Sequence, residues 1–336
     1  MINKKTKFCK AAALLGAAVM MISALAGCGK NTKVVLTAGL KKNEVFRISS
    51  ASCMLPEVMV YLTNMQNQYE SVYGSQIWNA SDGQLSLEQE EREQVLTQLA
   101  RIKVMNLLAQ KKEVTLDDKE KERAAAAGRE YFTSLNSAEV TALNVTQDLI
   151  TKMYEEYALA EKVYQTIVEN VNPEVSDDEA RTITVDMIRV SDSAKASQVL
   201  GKAKEEGVDF ETLAQAESED QTVTQSFGKG EVSEALEKAA FNLGKDEISD
   251  VVESDGSYYI LKCISTFDEA QTKANKEKIV KQRQSEAFDT EYTAFEQTLV
   301  RQLNEELWNS VTMIHQDDVK TPSFFEVYQM YFQHQE

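Results

Sequence analysis

Glycine (13) and proline (3) are scarce in a chain of 336 residues, and histidine occurs only twice, as His315 and His334. So few turn formers argue against an all-β fold of many short strands, and the abundance of Ala, Glu, Gln, Lys and Leu points to long helices instead. Two histidines near the C-terminus leave most zinc sites and imidazole mechanisms without residues in the middle of the chain. Positive charge is also short: 36 Lys and Arg stand against 54 Asp and Glu, a net charge of −18. The basic surface that phosphate binding needs is therefore missing, which argues against nucleic acid as a partner. P-loop, GxSxG, HExxH and Cys-x-x-Cys patterns are absent, and nothing calls for a cofactor or metal. The length suits two domains, one inserted in the other.

Long hydrophobic runs are limited to one place. Met1 to Lys10 carries four lysines and no acid, and Ala11 to Ala26 is a 16-residue run of mostly apolar, small side chains. That is the pattern of a secretory signal and too short for a comfortable membrane span. The run closes on Leu25-Ala26-Gly27-Cys28, which resembles the lipobox of bacterial lipoproteins and implies cleavage before Cys28 and acylation of its sulfur. Two or more acyl chains, at about 0.8 kcal/mol per buried CH₂, would hold the mature protein on the extracytoplasmic face of the cell membrane. Removal of residues 1–27 leaves 32 basic against 54 acidic residues, so the body would stand off an anionic membrane surface. Cys53 and Cys263 then remain. They fit one disulfide or two buried thiols; their apolar, strand-like surroundings favour thiols.

Residues 28–42 read as a tether, and 43–175 as a helical array. Glu44 to Ile48 alternates like a short strand, and Pro56 stands where a helix can start. Ser86 with Gln89 fits a capping box, Thr115 with Asp118 opens a further helix, Ser137 a short one and Thr146 a long one. Pro173 and the run Ser176 to Glu179 mark a boundary. Beyond it, over residues 176–267, come a strand (Thr182 to Val190), helices from Ser193 and Phe210, a glycine-containing loop (Ser226 to Gly230), a helix from Ser233 and a strand (Ser257 to Ile264). Residues 268–336 return to a charged helix, Glu269 to about Trp308. An aromatic tail follows, with Phe324, Phe325, Tyr328, Tyr331 and Phe332, whose rings need the helical array of residues 43–171 to bury against. The fold class expected is α+β: a mostly helical domain built from both ends of the chain, with a β-α-α-α-β unit inserted.

Five blocks in that insert carry a resemblance: Glu206 to Ala214, Ser218-Glu219-Asp220, Phe227-Gly228-Lys229-Gly230, Ala239 to Gly244, and Ile248-Ser249-Asp250. In this order they are similar to the parvulin family of peptidyl-prolyl isomerases. The whole chain looks like a lipid-anchored foldase of the PrsA-like and SurA-like kind, which implies unfolded exported polypeptides as partners. Beside the name, Gly207 and Gly244 suit positive φ after helices, and Phe210, Leu213 and Phe241 would pin helices to a sheet.

The resemblance also implies site residues. Asp220 falls on an acidic or cysteine position of the family's site, where a solvated loop carboxylate is the competing reading. Phe227, Val232 and Leu236 fall on the proline pocket, where plain core is the alternative. The two histidine positions of the family are occupied by Met187 (or its neighbour Asp186) and Tyr259. Turning an X-Pro bond means crossing a barrier of about 18–20 kcal/mol set by amide resonance. An apolar pocket can favour the less dipolar twisted form without proton transfer. Loss of both imidazoles points to weak or lost isomerase activity. Against this foldase reading stand an active isomerase and a structural envelope lipoprotein with one defined partner.

Overall fold

The computed structural model describes residues 39–80 and 86–333. The expected signal peptide, the acylated Cys28, most of the tether and His334 lie outside the described residues. In chain order the elements are β1 (Glu44–Ile48), β2 (Ala51–Met54), α1 (Leu55–Tyr73), a 3-10 turn (Ser75–Asn79), α2 (Leu87–Lys111), α3 (Asp118–Ser134), α4 (Ser137–Leu143), α5 (Gln147–Val168), α6 (Asp177–Ala180), β3 (Thr182–Val190), α7 (Ser193–Ala203), α8 (Phe210–Glu217), β4 (Thr224–Gly228), α9 (Glu234–Phe241), β5 (Val252–Ser254), β6 (Ser257–Ser265), α10 (Glu269–Glu296), β7 (Arg301–Leu303), α11 (Glu305–Asn309) and α12 (Phe324–Phe332). This is the α+β, mostly helical class expected. The contacts divide the chain into two units, one made of the chain up to Asn170 and from Ala287 onward, the other of Val171–Glu286.

In the first unit local signals set the helix starts. Ser86 accepts from the Gln89 amide while the Gln89 side chain accepts from Ser86 N, closing a capping box, and Thr146 caps α5. Two expected starts shift: Asp117, with Glu120, caps α3 in place of Thr115, and Asn136, with Glu139, caps α4 in place of Ser137. In each case an acceptor one residue before the helix reaches the free amides of the first turn. A buried ion cluster ties three helices together, with Lys103 Nζ 2.5 Å from Glu57 Oε2 and 2.6 Å from Glu156 Oε2.

The long C-terminal helix stops earlier than its charge pattern suggests. It ends at Glu296, and Arg301–Leu303 instead pairs antiparallel with β1, placing Phe46 opposite Leu303, in a sheet ordered β2-β1-β7. The unpaired edge of β1 supplies bonds that a continuing helix would leave empty: Ser49 N donates to Val300 O and Asn304 N to Val45 O, both at 2.8 Å. Of the aromatic tail, Phe324, Phe325 and Tyr328 are buried in this unit as expected, while Tyr331 and Phe332 are half-buried against it. Phe324 stacks on Tyr154 at 4.5 Å and meets the Tyr131 ring edge-on at 5.2 Å, and Phe325 meets Tyr61 at 5.1 Å.

The second unit is a four-stranded antiparallel sheet ordered β4-β3-β6-β5. Because side chains alternate across a strand, β3 sends Ile188 and Val190 to a core with Val199, Phe210 and Ile260, under α7 and α8. Ile183, Val185 and Met187 go to a second core with Leu236, Ala240, Leu261 and Cys263, under α9. Part of the stretch expected as a glycine-containing loop is strand: Phe227 pairs with Ile183 on the edge of β3, a pairing that the polar Thr224-Gln225-Ser226 does not announce. Gly207 has the positive φ expected of it (+83°). In the turn after α9 that conformation belongs not to Gly244 but to Asp246 (φ 66°), whose amide donates to Cys263 O. The first turns of α10 fasten to this sheet, since Thr182 N donates to Thr272 Oγ1 and Asn275 Nδ2 to Ala180 O.

Candidate functional site

The sheet face beneath α9 gathers most of the residues singled out from the sequence. Register pairing sets Met187 opposite Leu261 and Arg189 opposite Tyr259 on the two central strands, with Val252 of β5 on the other side of Tyr259. Phe227 comes from the end of β4, Val232 from the loop after it, and Leu236 from α9; with Met187 and Tyr259 they belong to one apolar cluster. Met187, Phe227 and Leu236 are buried, while Val232 and Tyr259 are half-buried and form the accessible part. Ser233 caps α9 by accepting from Leu236 N, and Gly230 N donates to Glu237 Oε2, so the loop bearing Val232 is held at both ends.

Of the two alternatives on β3, Met187 is the one on this face. Asp186 points to the other side, where Thr224 Oγ1 donates to its carboxylate at 2.6 Å. No imidazole stands in this cluster; its polar groups are the Tyr259 phenol and the charges at its rim.

Those charges include one that the sequence reading missed. Asp220 does not stand free: Arg189 Nε donates to its Oδ1 at 2.7 Å. The guanidinium also approaches Glu219 Oε2 at 3.8 Å and donates to Ser257 Oγ at 3.4 Å. Backbone amides hold the segment in place, Glu219 N donating to Arg189 O at 2.8 Å and Arg189 N to the Ser218 side-chain Oγ at 3.1 Å. The Asp220 carboxylate raises the pKa of Arg189, first through the hydrogen bond and then through its charge. The signal was present in the sequence: an arginine two residues from Met187 in a β-branched strand shares its face.

Cys53 and Cys263 are both free and buried. Burial pushes both thiols up, that of Cys53 strongly, which makes them poor nucleophiles at neutral pH. Among the described residues no group of three or more His, Cys, Asp or Glu could hold a metal ion, and no helix is long and apolar enough to cross a membrane.

A sheet of this topology, with an apolar cradle between its edge strand, its last helix and its central strands, agrees with the sequence comparison: residues 162–278 match the family described as the PPIC-type PPIase domain. The insert is a parvulin-type domain. The chain is 31% identical over 165 residues to the foldase protein PrsA of Streptococcus pneumoniae, a match covering 44% of this chain and 53% of that protein. It thus spans about half the length of the curated relatives it matches. Among solved structures it is similar to the peptidylprolyl isomerase PrsA of Bacillus cereus, with 19% identity, 72% of this chain and 91% of that one covered, and a TM-score of 0.38. A structure described as one of two SurA-like chaperones of Campylobacter jejuni matches at 10% identity, covering 77% and 98%, with a TM-score of 0.30. The parvulin-type domain therefore carries its apolar cradle beside an arginine–carboxylate pair.

Proposed function

We propose that this protein is a lipid-anchored, extracytoplasmic folding factor that binds unfolded exported polypeptides, and that its parvulin-type domain is a proline-favouring contact of weak isomerase activity. The match to the PPIC-type domain and to PrsA foldases supports the general role. The lipobox-like Leu25-Ala26-Gly27-Cys28 supports the anchor through Cys28. One observation carries the finer reading: Met187, Phe227, Val232, Leu236 and Tyr259 converge in one apolar cluster without an imidazole. In this reading Met187 and Tyr259 occupy the two histidine positions, Phe227, Val232 and Leu236 receive the proline ring, and Asp220 faces the peptide at the rim. An apolar cradle lowers the energy of the less dipolar twisted amide. Without the hydrogen-bond network of imidazoles beneath it, orientation of the peptide is poorer and the gain smaller.

The test is cis/trans exchange of a short proline-containing peptide measured by NMR with the full mature chain. Exchange faster than the uncatalysed rate but well below that of a histidine-bearing parvulin is expected. Val232→Glu, which puts a charge into the cradle while leaving the buried core intact, should weaken peptide binding about tenfold or more. A rate equal to that of an ordinary parvulin would establish the active-isomerase reading, and no binding at all would remove the groove from the function.

A further inference from the structure

We propose that Arg189 holds the parvulin-type groove in a low-activity state by neutralising Asp220. The inference rests on the reading of that sheet face as a proline-binding groove, and it concerns the charge at the rim rather than the missing imidazoles.

The geometry makes Arg189 part of the groove. It lies two residues from Met187 on β3 and opposite Tyr259 in the sheet register, so its side chain rises from the same face as the apolar cluster. From there Nε reaches Asp220 Oδ1 at 2.7 Å, with Ser257 Oγ and Glu219 as further partners. The Ser218–Asp220 segment is bonded to the backbone of Arg189 itself, which fixes the carboxylate against the guanidinium. Glu219 is shared: its Oε1 accepts from both the amide and the hydroxyl of Ser191, while its Oε2 lies 3.8 Å from the guanidinium, farther than Asp220.

A planar X-Pro amide carries partial negative charge on its carbonyl oxygen, and that charge diminishes as the bond twists. A lone carboxylate at the rim raises the energy of the planar form more than that of the twisted one, and so accelerates exchange. Paired with a guanidinium at hydrogen-bond distance, the same carboxylate presents only the short-range field of an ion pair, and its bias on the amide is largely lost. Arg189 is thus a positioning residue that acts through Asp220.

The experiment uses the full mature chain with a short Ala-Pro peptide, following both peptide binding and the exchange rate at saturation. Arg189→Leu is expected to raise the saturated exchange rate about fivefold or more and to weaken peptide affinity by up to a comparable factor, because the unpaired carboxylate acts by destabilising the bound planar amide. Arg189→Gln should do the same and serves if leucine impairs folding. Adding Asp220→Asn to Arg189→Leu should cancel the gain, which a merely structural role of Arg189 would not produce. An unchanged rate in variants that still bind the peptide, or a gain that survives loss of Asp220, would overturn the proposal while leaving the groove in place. Failure of every variant, and of the parent chain, to bind the peptide would overturn the groove reading and this proposal together.

Discussion

Glu44 is fully buried and yet charged, and the reason is local. Arg47 donates to both its oxygens, Lys41 N donates at 2.9 Å and Ser52 Oγ at 2.5 Å, so the Arg47 bonds first of all hold its pKa down at about 2 against the burial that would raise it. A carboxyl depressed in the folded state gives stability that is complete above its ordinary value of 4.5 and is lost as the pH falls through about 2. Glu44→Gln should therefore lower stability by about 2 kcal/mol at pH 7, with the difference from the parent shrinking below pH 4.5 in urea melts taken down the acid limb. The same scale shows why parts of the candidate site escaped the sequence. Strand alternation places Arg189 on the face of Met187, but Asp220 is 31 residues away, and only the fold brings that loop carboxylate to the guanidinium. Met187 against Asp186 was undecidable for a related reason: adjacent strand residues differ only in which face they take, and register decides that.

At the scale of elements, the C-terminal helix α12 shows how the helical unit is closed. Phe324 stacks on Tyr154 and touches Tyr131, its amide donates to Asn64 Oδ1 at 2.9 Å, and its carbonyl accepts from Tyr154 Oη at 2.8 Å. Every polar group that the ring drags inside is bonded, so the helix gains ring burial without an unpaired amide. Phe324→Ala should cost about 3–5 kcal/mol, seen as loss of near-UV signal from the surrounding tyrosines and a lower melting temperature. That aromatic residues spaced along the tail had to be covered was legible in their spacing. That Arg301–Leu303 would leave the helical pattern and become a strand was not, because the partner edge of β1 lies more than 250 residues away in sequence and only the folded sheet offers it.

At the scale of the molecule, three apolar cores among the described residues divide between the units: one draws on residues from Val45 to Val168 and from Phe288 to Tyr328, the other two on Ile183 to Cys263. The two cores of the second unit lie on opposite faces of one sheet and unfold together, while the core of the helical unit forms its own cooperative block. Calorimetry should show two transitions, with Phe324→Ala lowering only the one that carries the helical unit.

The sequence alone determined what periodicity, capping and block order can carry: the helical class, the return of the tail to the N-terminal segment, and the parvulin-type insert, in whose apolar cluster Phe227, Val232 and Leu236 lie. Those signals are local, because helix caps and face periodicity act within a few residues. Tertiary structure decided what depends on register and on partners distant in the chain: which residue of β3 enters the cradle, that Thr224–Gly228 is a strand, and that Asp220 is bound to Arg189. Hydrogen-bond pairing and charge proximity are properties of positions in space, and the chain order of the residues does not fix them.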